Sequence, residues 1–106
     1  MKPEMSLASL ALILLLSPED PADEALRTRV EAAPRKVAKF IERRAGCNHF
    51  LGEEPYDAER AAELNRTIRE LRCDRVESDE RRLERSYRGR PDILRLLKET
   101  EDLPGW

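Results

Sequence analysis

The apolar residues of this chain recur at helical spacing, and that leaves few folds open. Leu26, Val30, Ala33, Val37 and Phe40 follow one another in steps of three and four, with Ile41 beside the last. Ala61, Leu64, Ile68 and Leu71 do the same. Val76, Leu83 and Tyr87 continue the second series after a slip of one residue that contains Arg72 and Cys73. Such steps build one apolar stripe along a helix. Nothing alternates with period two, so no sheet is expected and the fold class is all-α. Charged residues make up 40% of the chain, but 20 basic residues nearly balance 22 acidic ones. Mixed charge around apolar stripes belongs to solvated helix faces, not to a disordered tail. The same balance gives no overall attraction to nucleic acid.

Local signals place the helix ends. Asp20 is a good N-cap, Pro21 fits a first helical position, and Asp23 and Glu24 suit the first turn, where the helix dipole favours anions. Pro34 either kinks this helix or opens a second one. Gly46 is read as the C-terminal cap, with a loop following over residues 47–56, CNHFLGEEPY. Asp57 caps a long helix of about 30 residues running toward Gly89, with a bend expected near Ser78. Pro91 opens a short last helix carrying Ile93, Leu94, Leu96 and Leu97. The expected architecture is a helical hairpin or a three-helix arrangement, closed by one disulfide and following an N-terminal signal-like helix.

Residues 7–16 read LASLALILLL, with only Ser9 polar. A bilayer-spanning helix needs about 20 apolar residues, so this run is too short to span and suits the core of a signal peptide behind Lys2. Glu4 dilutes the positive start, and no small-x-small cleavage signal follows. Ser17, Ala22 and Ala25 are the candidate cut sites. The division is a leader over 1–17, a linker over 18–21 at the end of the breaker run SPEDP (17–21), and one small helical domain over 22–106. No membrane span is expected in the mature form. The opposing reading is an N-terminal core helix of a cytoplasmic protein.

A domain this small buries little apolar surface and gains much from a covalent link. Cys47 and Cys73 are the two cysteines, and in an exported chain they are most simply one disulfide. A helix–loop–helix hairpin can join them if their Cα atoms come within about 7 Å. Closing that loop stabilises the fold by about 3.5 kcal/mol on the chain-entropy model. In a cytoplasmic chain the same residues would be two reduced, buried thiols.

No residues form a catalytic constellation, a cofactor loop or a structural metal pattern, so no enzyme, cofactor or metal site is expected. Cys47, His49, Glu53 and Glu54 lie within eight residues, but their spacing fits no structural zinc site, and a disulfide would remove the thiolate. His49 is the one histidine, with no serine nucleophile elbow near it. The segment remains the candidate binding loop, through Asn48, His49, Phe50, Glu53, Glu54 and Tyr56, since loops held by a rigid scaffold often carry function. In its plainer reading Phe50, Leu51 and Tyr56 pack the loop onto the helices. Glu77 with Arg81, Glu84 with Arg88 and Glu63 with Arg66 are spaced to pair along the long helix. Arg66, Arg69, Arg72 and Arg75 run in steps of three, and an Arg-lined groove for an acidic partner is the sharper reading of that face. The interleaved glutamates argue against nucleic acid.

From Cys73 the chain reads CDRVESDERRLERSYRG. This resembles the core of the small secreted LprI-type lysozyme-inhibitor family, in which a Cys is followed by an Asp, then by Leu and Tyr in steps of four. The corresponding positions here are Cys73, Asp79, Leu83 and Tyr87. The resemblance covers residues 73–89, and the family's partner cysteine usually lies closer than Cys47 does. It implies a secreted, disulfide-linked helical hairpin and an inhibitory role. Without it, Asp79, Leu83 and Tyr87 are an ordinary packing stripe. The expected function is a non-enzymatic secreted or periplasmic binding protein or inhibitor whose partner is another envelope protein. The alternative is a cytoplasmic helical interaction module or small regulator.

Overall fold

The computed structural model describes residues 20–106. The expected leader, 1–17, and the first part of the linker lie outside the described residues. The described chain is all-helical, with no strand among these residues. Five α-helices follow in order: α1 (Pro21–Ala32), α2 (Arg35–Leu51), α3 (Ala58–Glu70), α4 (Val76–Ser86) and α5 (Pro91–Glu99), with a short 3-10 turn, Cys73–Arg75, before α4. This is more than the expected hairpin or three helices, because two of the expected helices are broken.

Pro34 separates α1 from α2. It stands outside the helix at the N-cap of α2, with ψ 140°, so the chain restarts and does not kink. The expected caps hold at Asp20, whose side chain accepts from the Ala22 amide, and at Asp57, which accepts from the Arg60 amide. Pro91 takes the first position of α5.

Two boundaries differ from expectation. Gly46 does not end α2. The helix runs through it to Leu51, and Gly52 is the C-cap, in ordinary right-handed geometry. Gly46 sits in the helix interior against a neighbouring helix. A Cβ on Gly46 would stand 3.4 Å from Leu71 Cδ1, an ordinary packing distance, so the position lies on the face of α2 turned toward the end of α3. The long helix also breaks well before Ser78. Arg72 turns left-handed, with φ 53° and ψ 51°, and the chain reverses into the 3-10 turn. That conformation costs a non-glycine residue about 1–2 kcal/mol. Ser78 lies inside α4, where its hydroxyl donates to the Arg75 carbonyl. The slip between Leu71 and Val76 was the trace of this break.

α2 is the hub, packing against each of the other four helices. The core gathers Val30 of α1, Val37, Phe40 and Ile41 of α2, Leu83 of α4, and Ile93, Leu96 and Leu97 of α5. α3 adds nothing to this cluster, and its one buried residue is Leu64. What fastens α3 is the link between Cys47 and Cys73, whose Cα atoms lie 5.6 Å apart. Arg43 supports it. Its guanidinium donates to the Leu71 and Arg72 carbonyls at 2.6 and 3.1 Å, satisfying groups that the end of a helix leaves open.

The expected pairs along the long helix do not close among the described residues. Glu63 meets Arg60 instead, and Asp79 and Glu80 reach across to Arg43 and Arg44 of α2. An exposed pair within one helix is worth only a few tenths of a kcal/mol, too little to hold two long side chains in one geometry.

Candidate functional site

Because α2 continues to Leu51, half of the expected binding loop is helix, and its side chains part company. Cys47 faces inward and is 2% exposed. Asn48 is half-buried. Its amide nitrogen donates to the Glu101 and Leu103 carbonyls at 3.0 and 2.9 Å, which ties down the C-terminal tail. His49 and Phe50 meet edge to face at 4.9 Å. Both line an open groove of about 850 Å³ with Arg27, Gly105 and Trp106. The Arg27 guanidinium sits 5.3 Å from the Trp106 ring. Glu42 and Glu31 face the same groove, so its charges are mixed.

Glu53 is engaged elsewhere. Its carboxylate takes both Arg60 Nε and a terminal guanidinium nitrogen, at 2.6 and 2.8 Å. Glu54 is exposed, and Tyr56 and Leu51 are 81% and 61% exposed. The expectation that Leu51 and Tyr56 pack the loop down is therefore corrected, since both stay mostly in solvent. The structure brings His49 and Phe50 together, pairs Glu53 with Arg60 while leaving it near enough to feel the charge of His49, and leaves Glu54 and Tyr56 exposed. Among the described residues no three His, Cys, Asp or Glu side chains are grouped to hold a metal. No described helix is long and apolar enough to cross a membrane.

The Arg60 guanidinium holds the Glu53 carboxyl below its ordinary value of 4.5, chiefly through their hydrogen bonds. A lowered folded-state value stabilises the fold above the unfolded value and loses that effect as pH falls through the folded one. The melting temperature should therefore drop as the solution is acidified below about pH 5. The Glu53→Gln variant should melt lower at neutral pH and converge on the parent in acid. Parallel melting curves for the two across the whole range would show that the pair contributes nothing.

The residues carrying the family resemblance belong to the scaffold. Asp79 accepts from Arg43 and Arg82 at 2.8 and 3.2 Å. Leu83 is buried, and Tyr87 is half-buried against the core.

A second groove, of about 500 Å³, lies between the N-terminal half of α2 and the α3–α4 break. Six cations line it against one carboxylate, that of Asp79. Arg43 and Arg82 share that carboxylate. Lys36, Lys39, Arg72 and Arg75 form no ion pair among the described residues, and all four are exposed. The sequence pointed to Arg72 and Arg75, but as part of a helix face with Arg66 and Arg69. The left-handed turn at Arg72 separates them. It leaves Arg66 and Arg69 on α3 and puts Arg72 and Arg75 opposite Lys36 and Lys39. Those two lysines were not singled out. The available signal was the phase slip beside Cys73, which, with Cys73 bonded to α2, places Arg72 next to that helix.

No protein-family model, curated protein or solved structure matches this chain.

Proposed function

We propose that this chain is a small non-enzymatic binding protein of an oxidising, extracytoplasmic compartment. The observation that carries the reading is the Cys47–Cys73 link, which joins α2 to the turn before α4. Such bonds form and persist outside the reducing cytoplasm. The short apolar run at residues 7–16 supports export. The hub arrangement supports binding, because a fixed helix with open grooves on its flanks is a scaffold for recognition. Lysozyme inhibition, implied by the resemblance over residues 73–89, is one activity of this class. Asp79, Leu83 and Tyr87 are engaged within the fold, so inhibition would act through other side chains.

The described helix bears on where a leader would be cut. Ala22 and Ala25 lie within the first five residues of α1. Cutting after either removes Asp20, a cap worth about 1 kcal/mol. A cut after Ser17 leaves α1 whole. Expressing the full chain in a bacterium, alkylating it without reduction and weighing it intact tests both halves of the proposal. The expected product lacks residues 1–17 and carries no alkyl group. A full-length, doubly alkylated chain would overturn export and the disulfide together.

A further inference from the structure

We propose that the groove between α2 and the α3–α4 break binds an acidic segment of a partner protein. The inference rests on reading the chain as a binding protein, and it names the site and the partner's chemistry. Lys36 and Lys39 stand on one side, one helical turn apart on α2, and Arg72 and Arg75 stand on the other. Phe40 and Leu83 provide the apolar lining between them.

Three observations point to an anionic occupant. The chain as a whole carries a net charge of -2, so a local excess of cations does not follow from composition. The one carboxylate in the groove is already held by Arg43 and Arg82. It leaves the four outer cations facing each other without a counter-charge among the described residues, and such repulsion is relieved by a bound anion. The third is Arg72 itself. Glycine adopts its left-handed backbone without strain, yet a guanidinium occupies the position at the groove's rim. Strain of this kind gathers where a side chain must be presented. Arg43 fixes that presentation by donating to the Arg72 carbonyl, and the neighbouring Cys73 is bonded to α2.

The shape selects among anions. The cations come from two elements, α2 and the α3–α4 break, that flank an open groove along which an extended chain can lie. Phe40 is only 5% exposed, so it offers no platform on which a base could stack. A peptide fits both features. Its carboxylates reach the cations on both sides, and it needs no exposed ring to stack on. Arginine and lysine at the rim also steer an acidic chain toward the recess.

The test uses the purified, oxidised protein and a short fluorescein-labelled peptide of glutamates interspersed with leucine, read by anisotropy. Saturable binding is expected, weakening strongly as ionic strength rises from about 0.05 to about 0.5 M. The paired reversal Lys39→Glu with Arg75→Glu should weaken it by about tenfold or more. Reversing Arg85 and Arg88, which do not line the groove, should change it less than about twofold. If the charge reversal lowers the melting temperature, Lys36→Gln with Lys39→Gln gives the same reading from two exposed residues of α2. The proposal is overturned if the peptide does not bind, if the groove variants bind it as the parent does, or if a glutamine-for-glutamate peptide binds equally. Tighter binding of phosphatidylglycerol vesicles, short RNA or inorganic phosphate also overturns it. The export measurement is independent, so failure of either proposal is distinguishable from failure of the other.

Discussion

Removing the bond between Cys47 and Cys73 lowers the unfolding free energy by about 3.5 kcal/mol. For a domain of this size that is roughly 15–25 °C in melting temperature. The figure follows from the 26-residue separation of the two cysteines, which the unfolded chain must otherwise close at an entropic cost. The architecture makes the loss local as well. α3 contributes nothing to the main core cluster and buries only Leu64. Once the bond is gone, α3 is held by that leucine, the packing of Leu71 beside Gly46, the Glu53–Arg60 pair and the hydrogen bonds of Arg43. The paired change Cys47→Ser with Cys73→Ser should show it in two ways. Thermal melting should shift down by the amount given. Amide exchange should rise first in α3, while α2 and α5 stay protected. Equal melting of the parent and the double serine variant would mean that the bond does not close in the folded protein.

Arg44 is the second position where a large loss is expected. Its side chain is 4% exposed in the middle of α2, and it joins three elements at once. One terminal nitrogen donates to Glu80 of α4 at 2.7 Å. The other donates to the Leu97 carbonyl at 2.6 Å and to the Thr100 hydroxyl at 2.9 Å, at the end of α5. Its guanidinium carbon lies 5.0 Å from the centre of the Phe40 ring. Truncation to alanine opens a cavity under Phe40 and takes a donor from a fully buried threonine and a buried carbonyl. Glu80 is a quarter exposed and can recover water, which moderates the effect. The expected loss is about 3 kcal/mol by urea unfolding. Arg44→Lys should recover little, because a single ammonium cannot match the planar fork that reaches Glu80, Leu97 and Thr100 together. Arg44→Met should recover part, by refilling the volume without leaving a charge. Were Arg44→Ala to unfold at the parent's urea midpoint, the guanidinium would not be joining α4 and α5.

Arg44 also shows why the sequence could not give the whole fold. It reads as one more exposed cation in a chain rich in arginine, and nothing near it in sequence marks it as buried. Its partners lie 36, 53 and 56 residues away. Asn48 is similar. Next to His49 it looked like a site residue, but its contacts are tail carbonyls 53 and 55 residues on. The candidate site was legible only in its chemistry. Arginines in steps of three suggested an acidic partner, but the lysines that face them belong to another helix.

By itself, the sequence determined what depends on residues within about one helical turn of each other. The apolar steps made helices, Asp20, Asp57 and Pro91 started three of them, and the two cysteines had one pairing available. Tertiary structure decided where those helices stop. Glycine's preference for ending a helix is worth only a few tenths to about 1 kcal/mol, and α2 runs through Gly46 to Leu51 all the same. The strain at Arg72 is of similar size, and the bonds from Arg43 together with the covalent link at Cys73 offset it. Local preferences are small and act at short range. Contacts between distant residues are larger in sum, and here they placed the breaks, the hub and the basic groove.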